Sequence, residues 1–189
     1  MAIDNINLKK SALVLIDLQN GIVAMPTAPR TSAEVISAAS KVADSFRENG
    51  GTVVLVRVKT APSEALKTLV DQPRAASGEL PENWSTIVPE IGPKDGDLVV
   101  TKRNWGAFYG TDLDLILRRR GIDTIVLGGI STNMGVESTA RNAHEHNYNV
   151  IFIEDACAAM DGNDHKFAFE RIFPRIGRVS NSQEIISKL

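Results

Sequence analysis

The chain has 189 residues and a formal net charge of −2, with 21 Lys and Arg set against 23 Asp and Glu, and it contains a single cysteine. That length suits one domain spanning residues 1–189, and with no basic run longer than Arg118, Arg119 and Arg120 the sequence argues against nucleic-acid binding. One cysteine excludes an internal disulfide and a multi-cysteine metal site, which fits a reducing, cytoplasmic setting. The apolar run near the N-terminus is too short for a leader or a membrane span.

In chain order, short apolar runs rich in β-branched residues alternate with amphipathic stretches. Residues 12–16 read as a first strand. Thr31-Ser-Ala-Glu34 then reads as a capping box opening a helix that Gly50 ends. A second strand is expected at 52–58, followed by a proline-rich excursion over 60–97 with Trp84 in it; a long loop of this kind between buried strands reads as a binding loop or lid. A third strand at 98–101 delivers Lys102, and Thr111-Asp-Leu-Asp114 starts a helix closed by Gly121. The fourth strand, 124–127, runs into Gly128-Gly129-Ile130-Ser131-Thr132 and a helix expected to reach Tyr148. A fifth strand at 150–153 should end in Glu154-Asp155, a helix should run from Asp161 to Phe173 and stop before Pro174, and a weak sixth strand lies at 178–180.

Continuous apolar strands alternating with helices predict a three-layer α/β/α sandwich around a six-stranded parallel sheet, in order 3-2-1-4-5-6. Ligands in such folds bind beyond the carboxyl ends of the strands, which here carry Asp17, Lys102 and the Gly128–Thr132 turn. Each has a plain structural reading as well. An aspartate there can cap a turn, a lysine can extend to solvent, and a glycine pair can let strand and helix pack closely.

Taken together and in order, LVLIDLQNG, VVTKRNWGAFYG, IVLGGISTNMGVESTARNA and NVIFIEDACAAMD closely resemble the isochorismatase-like hydrolases, over nearly the whole chain outside the 60–97 loop. The resemblance implies a catalytic Asp in the first-strand Asp-x-Gln motif, matched by Asp17, and a catalytic Lys, matched by Lys102. It also implies a nucleophilic Cys after the fourth strand, where this chain has Gly135. It further implies that Gln19, Trp84, Asn104, Phe108, Ile130, Ser131, Thr132, Asn133 and Met134 surround a small-molecule substrate, that Ile130-Ser131 is a non-proline cis peptide, and that the protein is a homo-oligomer, a dimer or higher.

Glycine closes the thioester route used by amidases with that cysteine. Ser138 lies about 4.5 Å further along the helix. Cys157 reads as a small buried hydrophobe. The metal-assisted branch of the family needs histidines near the first two strands, whereas the first histidine here is His144. His144, His146 and His165, all on expected helices, read as surface or locally bonded, and no metal or other cofactor is expected. True isochorismatase, which resembles this chain in having glycine near the cysteine position, cleaves a vinyl ether without a protein nucleophile. The leading expectation is therefore a cysteine-independent hydrolase of a small anionic substrate, with Asp17 as general acid on a vinyl ether and Lys102 free to hold a substrate carboxylate. An amide hydrolase using water or Ser138, and a degenerate ligand-binding member, are the alternatives.

Overall fold

The computed structural model describes residue 3 and residues 5–59, 68–72 and 80–189. Six strands form one parallel sheet in the order β3-β2-β1-β4-β5-β6: β1 Ser11–Ile16, β2 Thr52–Val58, β3 Leu98–Lys102, β4 Thr124–Ile130, β5 Asn149–Ala158 and β6 Arg178–Ser180. The chain builds outward from β1 to β3, then returns to β4 on the other side of β1. The switch point thus lies between β1 and β4, the place at whose carboxyl end open α/β sheets bind their ligands.

Alternation along the strands divides the core in two. On one face Leu13, Leu15, Val53, Leu55, Val126 and Ile153 meet Val35, Ala39, Val42 and Phe46 of α2 (Ser32–Glu48), the long helix that follows the single turn α1 (Asn20–Val23). On the other, Val14, Ile16, Val54, Val56, Ile125, Leu127 and Phe152 meet Leu113 and Leu117 of α3 (Leu113–Arg119) and Ala140 and Ala143 of α4 (Glu137–Glu145). Every residue of β1 is buried, as a strand covered on both faces requires.

The local signals act as their chemistry dictates. Thr31 accepts from the Glu34 amide while the Glu34 carboxylate accepts from the Thr31 amide, the reciprocal capping box expected at the start of α2. Thr111 Oγ1 accepts from the Leu113 amide at the start of α3. At Gly129 a side chain is impossible, because a Cβ would stand 2.1 Å from the Ile16 carbonyl oxygen where β4 closes on β1.

Three elements depart from expectation. Strand β5 does not stop at Glu154-Asp155 but continues to Ala158 after a register shift against β4, placing Cys157 opposite Gly129 inside the sheet. The polar pair is accommodated because Glu154 meets Arg30 and Asp155 accepts from the amide and hydroxyl of Ser182. The helix after Ser131 opens with a π-helical turn, Thr132–Val136, before α4 begins. The helix beginning at Asp161 does not end before Pro174: α5 (Gly162–Phe167) passes through a second π turn, Ala168–Ile172, into α6 (Phe173–Ile176). Pro174 sits there in a first turn, where its missing amide costs nothing.

Of the proline-rich 60–97 segment, 60–67 and 73–79 lie outside the described residues, and the lid reading of them with it. Its later part is fixed to the body. Val88 and Ile91 enter the core, Ile87 bridges Gln19, and Arg47 of α2 grips both carboxylate oxygens of buried Asp97 at 3.0 and 2.7 Å. No helix among the described residues is long and apolar enough to cross a membrane.

Candidate active site

Asp17 is the first residue beyond β1, and its backbone turns into the left-handed region with φ 53°, a conformation that Asp tolerates better than most side chains and that clusters at functional sites. Its amide donates to the Val56 carbonyl, which holds the turn against β2. Lys102 ends β3 with its side chain only 2% exposed, and its Nζ lies 2.8 Å from Asp17 Oδ2. The same nitrogen donates to the carbonyls of Asn104 at 3.1 Å and Trp105 at 2.9 Å. An ammonium has three N–H donors, and here each has an acceptor. Lys102 is thus committed to Asp17 and to its own loop, and no donor remains to hold a substrate carboxylate as the sequence reading allowed.

Gly135 completes the cluster from the π turn. A Cβ built there would stand 3.2 Å from Asp17 Oδ2, 3.6 Å from Lys102 Nζ and 2.9 Å from Ile16 Cγ2. The bare backbone of the turn therefore faces the buried ion pair directly, so Asp17, Lys102 and Gly135 form one site.

The remaining expected residues fall into distinct roles. Gln19 is fully buried, and its amide is spent on backbone, donating to the Val58 and Trp84 carbonyls and accepting from the Val58 amide. It fastens the Asp17 turn to β2 and to the loop. Trp84 lies over Gly21, where any Cβ would meet its ring at about 2 Å, and so forms a half-buried wall beside the turn that follows Asp17. Asn104 contributes its carbonyl to Lys102. Phe108 stacks on His146 at 5.2 Å and tilts against Tyr148, within the core beneath the loop, while Trp105 and Tyr109 are exposed. Ile130 is core, and the peptide joining it to Ser131 is cis. Ser131 donates to Asn133 Oδ1, Asn133 donates to Asp164, and Met134 is partly exposed at the rim.

Two buried polar side chains, His165 and Thr139, were not placed in the interior by the sequence reading. Thr132 Oγ1 is 2.9 Å from His165 Nδ1, a contact spanning 33 residues, so His165 is neither a surface residue nor a locally bonded one. Burial, with Arg30 nearby, pushes the His165 imidazole down to about 4, which keeps it neutral at physiological pH. The other is Thr139, whose hydroxyl bonds Gly135 and Ala107. A polar residue on the buried face of an expected helix was the only signal for either. Cys157, by contrast, is wholly buried, and burial pushes its thiol up to about 12. It has no thiolate to offer.

Comparison with known proteins agrees with this architecture. The model of the isochorismatase domain matches residues 11–184. The isochorismatase family protein YecD of Escherichia coli O157:H7 is 52% identical over 186 residues, covering 97% of this chain and 98% of its own. The structure of an isochorismatase family protein from Burkholderia thailandensis superposes with a TM-score of 0.93 at 43% identity, over 100% of this chain and 99% of that one. N-carbamoylsarcosine amidase from Thermoplasma acidophilum superposes with a TM-score of 0.74 at 33% identity, over 92% and 96% of the two chains. With an aspartate and a lysine paired at the carboxyl ends of β1 and β3, beside a helix turn that leaves β4, the chain belongs to the isochorismatase family of hydrolases.

Proposed function

We propose that the protein hydrolyses a small carboxamide or ureido substrate with water in place of a thiolate, using Asp17 as general base. The observation that carries this is the saturation of Lys102. An ammonium whose three donors meet Asp17 Oδ2 and two backbone carbonyls is a fixed cation, and a fixed cation 2.8 Å from a carboxylate favours its charged, proton-accepting form. A water over Gly135 would give its proton to Asp17 as its oxygen bonds the carbonyl carbon. The tetrahedral adduct would then expel the amine, with the proton passing from Asp17 to the leaving nitrogen and breaking the C–N bond. The continuous helical segment from Thr132 to Glu145 brings its positive end to this site, where negative charge develops on the carbonyl oxygen. The similarity to a protein named as an N-carbamoylsarcosine amidase supports the amide-type bond.

Vinyl ether cleavage is the second reading, favoured by the glycine at position 135. It needs Asp17 to carry and donate a proton, against the adjacent ammonium.

The test is a panel of ureido and carbamoyl carboxamides, with isochorismate included, assayed across pH with wild type and Asp17→Asn. Asparagine tolerates the left-handed backbone at this position, so the variant should fold and lose on the order of 10²-fold or more in rate. Carboxamide turnover that rises with pH to a plateau is expected. Turnover of the vinyl ether alone, with a rate that climbs as pH falls, would overturn the amide reading and make Asp17 the acid.

A further inference from the structure

The site is assembled from pieces that do not adjoin in sequence, and one side chain ties two of them together. Lys102 is aimed by the carbonyls of Asn104 and Trp105, in the loop that follows β3. Gly135 belongs to the π turn after β4. Between them lies Thr139 on α4, fully buried. Its hydroxyl accepts from the Ala107 amide at 3.1 Å and donates to the Gly135 carbonyl at 2.7 Å.

We propose that Thr139 is a positioning residue that holds the Lys102 loop and the Gly135 turn in register, and through them the Asp17–Lys102 pair. A threonine that bonds the carbonyl four residues earlier is a common habit of helices and carries no long-range information. The amide of Ala107, 32 residues away, makes this one a bridge. The rotor has no freedom, because an amide can only donate and a carbonyl can only accept, so the single hydroxyl proton points at Gly135. The loop also lies close against α4: a Cβ on Gly106 would stand 2.7 Å from Asn142 Oδ1 and 3.5 Å from the Ser138 carbonyl oxygen. Removing the hydroxyl while keeping its volume strands a buried amide and withdraws one partner from the turn's carbonyl, and a loop that moves to recover a partner carries the Asn104 and Trp105 carbonyls away from Lys102. This rests on the reading of Asp17 and Lys102 as the reacting pair.

The experiment compares wild type, Thr139→Val and Thr139→Ser by two measurements. Hydrogen exchange of the Lys102 ammonium, followed by ¹⁵N-resolved NMR, should be slow in wild type and Thr139→Ser and about tenfold faster in Thr139→Val, the worth of one buried hydrogen bond. For a hydrolysed carboxamide, kcat should fall about tenfold in Thr139→Val with KM within about twofold, and Thr139→Ser should restore it. Unchanged ammonium exchange in Thr139→Val, or equal impairment of the valine and serine variants, overturns the proposal. If no carboxamide is turned over, the proposed reaction fails while the ammonium measurement still decides the role of Thr139. Should Thr139→Val not fold, the Ala107 amide decides: slow exchange in folded wild type and Thr139→Ser supports the bridge, and fast exchange overturns it.

Discussion

The turn around Gly135 and the segment around Cys157 are carried by neighbouring strands, β4 and β5, and Gly129 of one pairs with Cys157 of the other. A Cβ on Gly135 would stand within 4 Å of a carboxylate and an ammonium, surroundings that would hold a thiolate, but the glycine has no side chain. Cys157 has the sulfur but lies wholly buried inside the sheet, with its thiol raised to about 12. The difference shows that a cysteine's reactivity follows from the charge around it and not from its presence in the sequence, and that here the thiol and the charged pair stand at separate positions.

Exchanging the two chemistries gives the largest expected effect. Gly135→Cys places a sulfur beside Lys102 and Asp17, so the variant should take up one equivalent of iodoacetamide near neutral pH, while native wild type takes up none. It should also gain carboxamide hydrolysis that alkylation abolishes. The cost is crowding: the new Cβ comes 2.9 Å from Ile16 Cγ2, a methyl on a stiff branched side chain, and stability should fall by about 1–3 kcal/mol. A folded Gly135→Cys that resists alkylation as Cys157 does would show that the ion pair does not polarise this position.

A smaller effect should come from the buried clamp behind the turn. His165 is held at about 4 by burial and by Arg30, against an ordinary value near 6.5, although Glu154 Oε1 lies 4.0 Å from its Nε2. The unfolded chain therefore binds a proton between pH 6.5 and 4 that the folded chain refuses. The contribution is fully present above the unfolded value and is lost as pH falls through that window. In urea unfolding from pH 7 to pH 4.5, the stability of wild type should fall by roughly 2 kcal/mol more than that of His165→Asn, which does not titrate there. Parallel declines in the two proteins would remove His165 from the account.

The strands and their order were legible because continuous β-branched runs have one economical burial, and the capping box at Thr31 because its two bonds join residues three apart. Strand β5 was read too short, since Glu154 and Asp155 look like an end until Arg30 and Ser182 arrive from elsewhere in the chain. The site was half legible. Asp17, Lys102 and Gly135 follow from motif and topology. The commitment of Lys102 does not, because two of its three acceptors are backbone carbonyls, which any residue supplies. Gln19, Thr132, Thr139 and His165 carry polar groups whose partners lie up to 65 residues away in sequence, and spacing along a helix or strand cannot reveal such partners.

The smallest expected effect belongs to the one native thiol. Cys157→Ala removes a single buried atom from a strand packed on both sides, so the surrounding core loses some contact and closes only partly over the space. Stability should fall by about 1 kcal/mol, which for a chain of this size lowers Tm by roughly 2–4 °C in a thermal scan. Rate constants should stay within about twofold of wild type, because a group with no thiolate at neutral pH contributes none of the chemistry. Paired with Gly135→Cys, the variant separates the two positions cleanly: the double variant should keep the alkylation and thiol-dependent hydrolysis of Gly135→Cys in full. If Cys157→Ala is instead inactive while still folded, and wild-type activity is lost when Cys157 is alkylated, the nucleophile lies in β5 and the water mechanism at Gly135 fails.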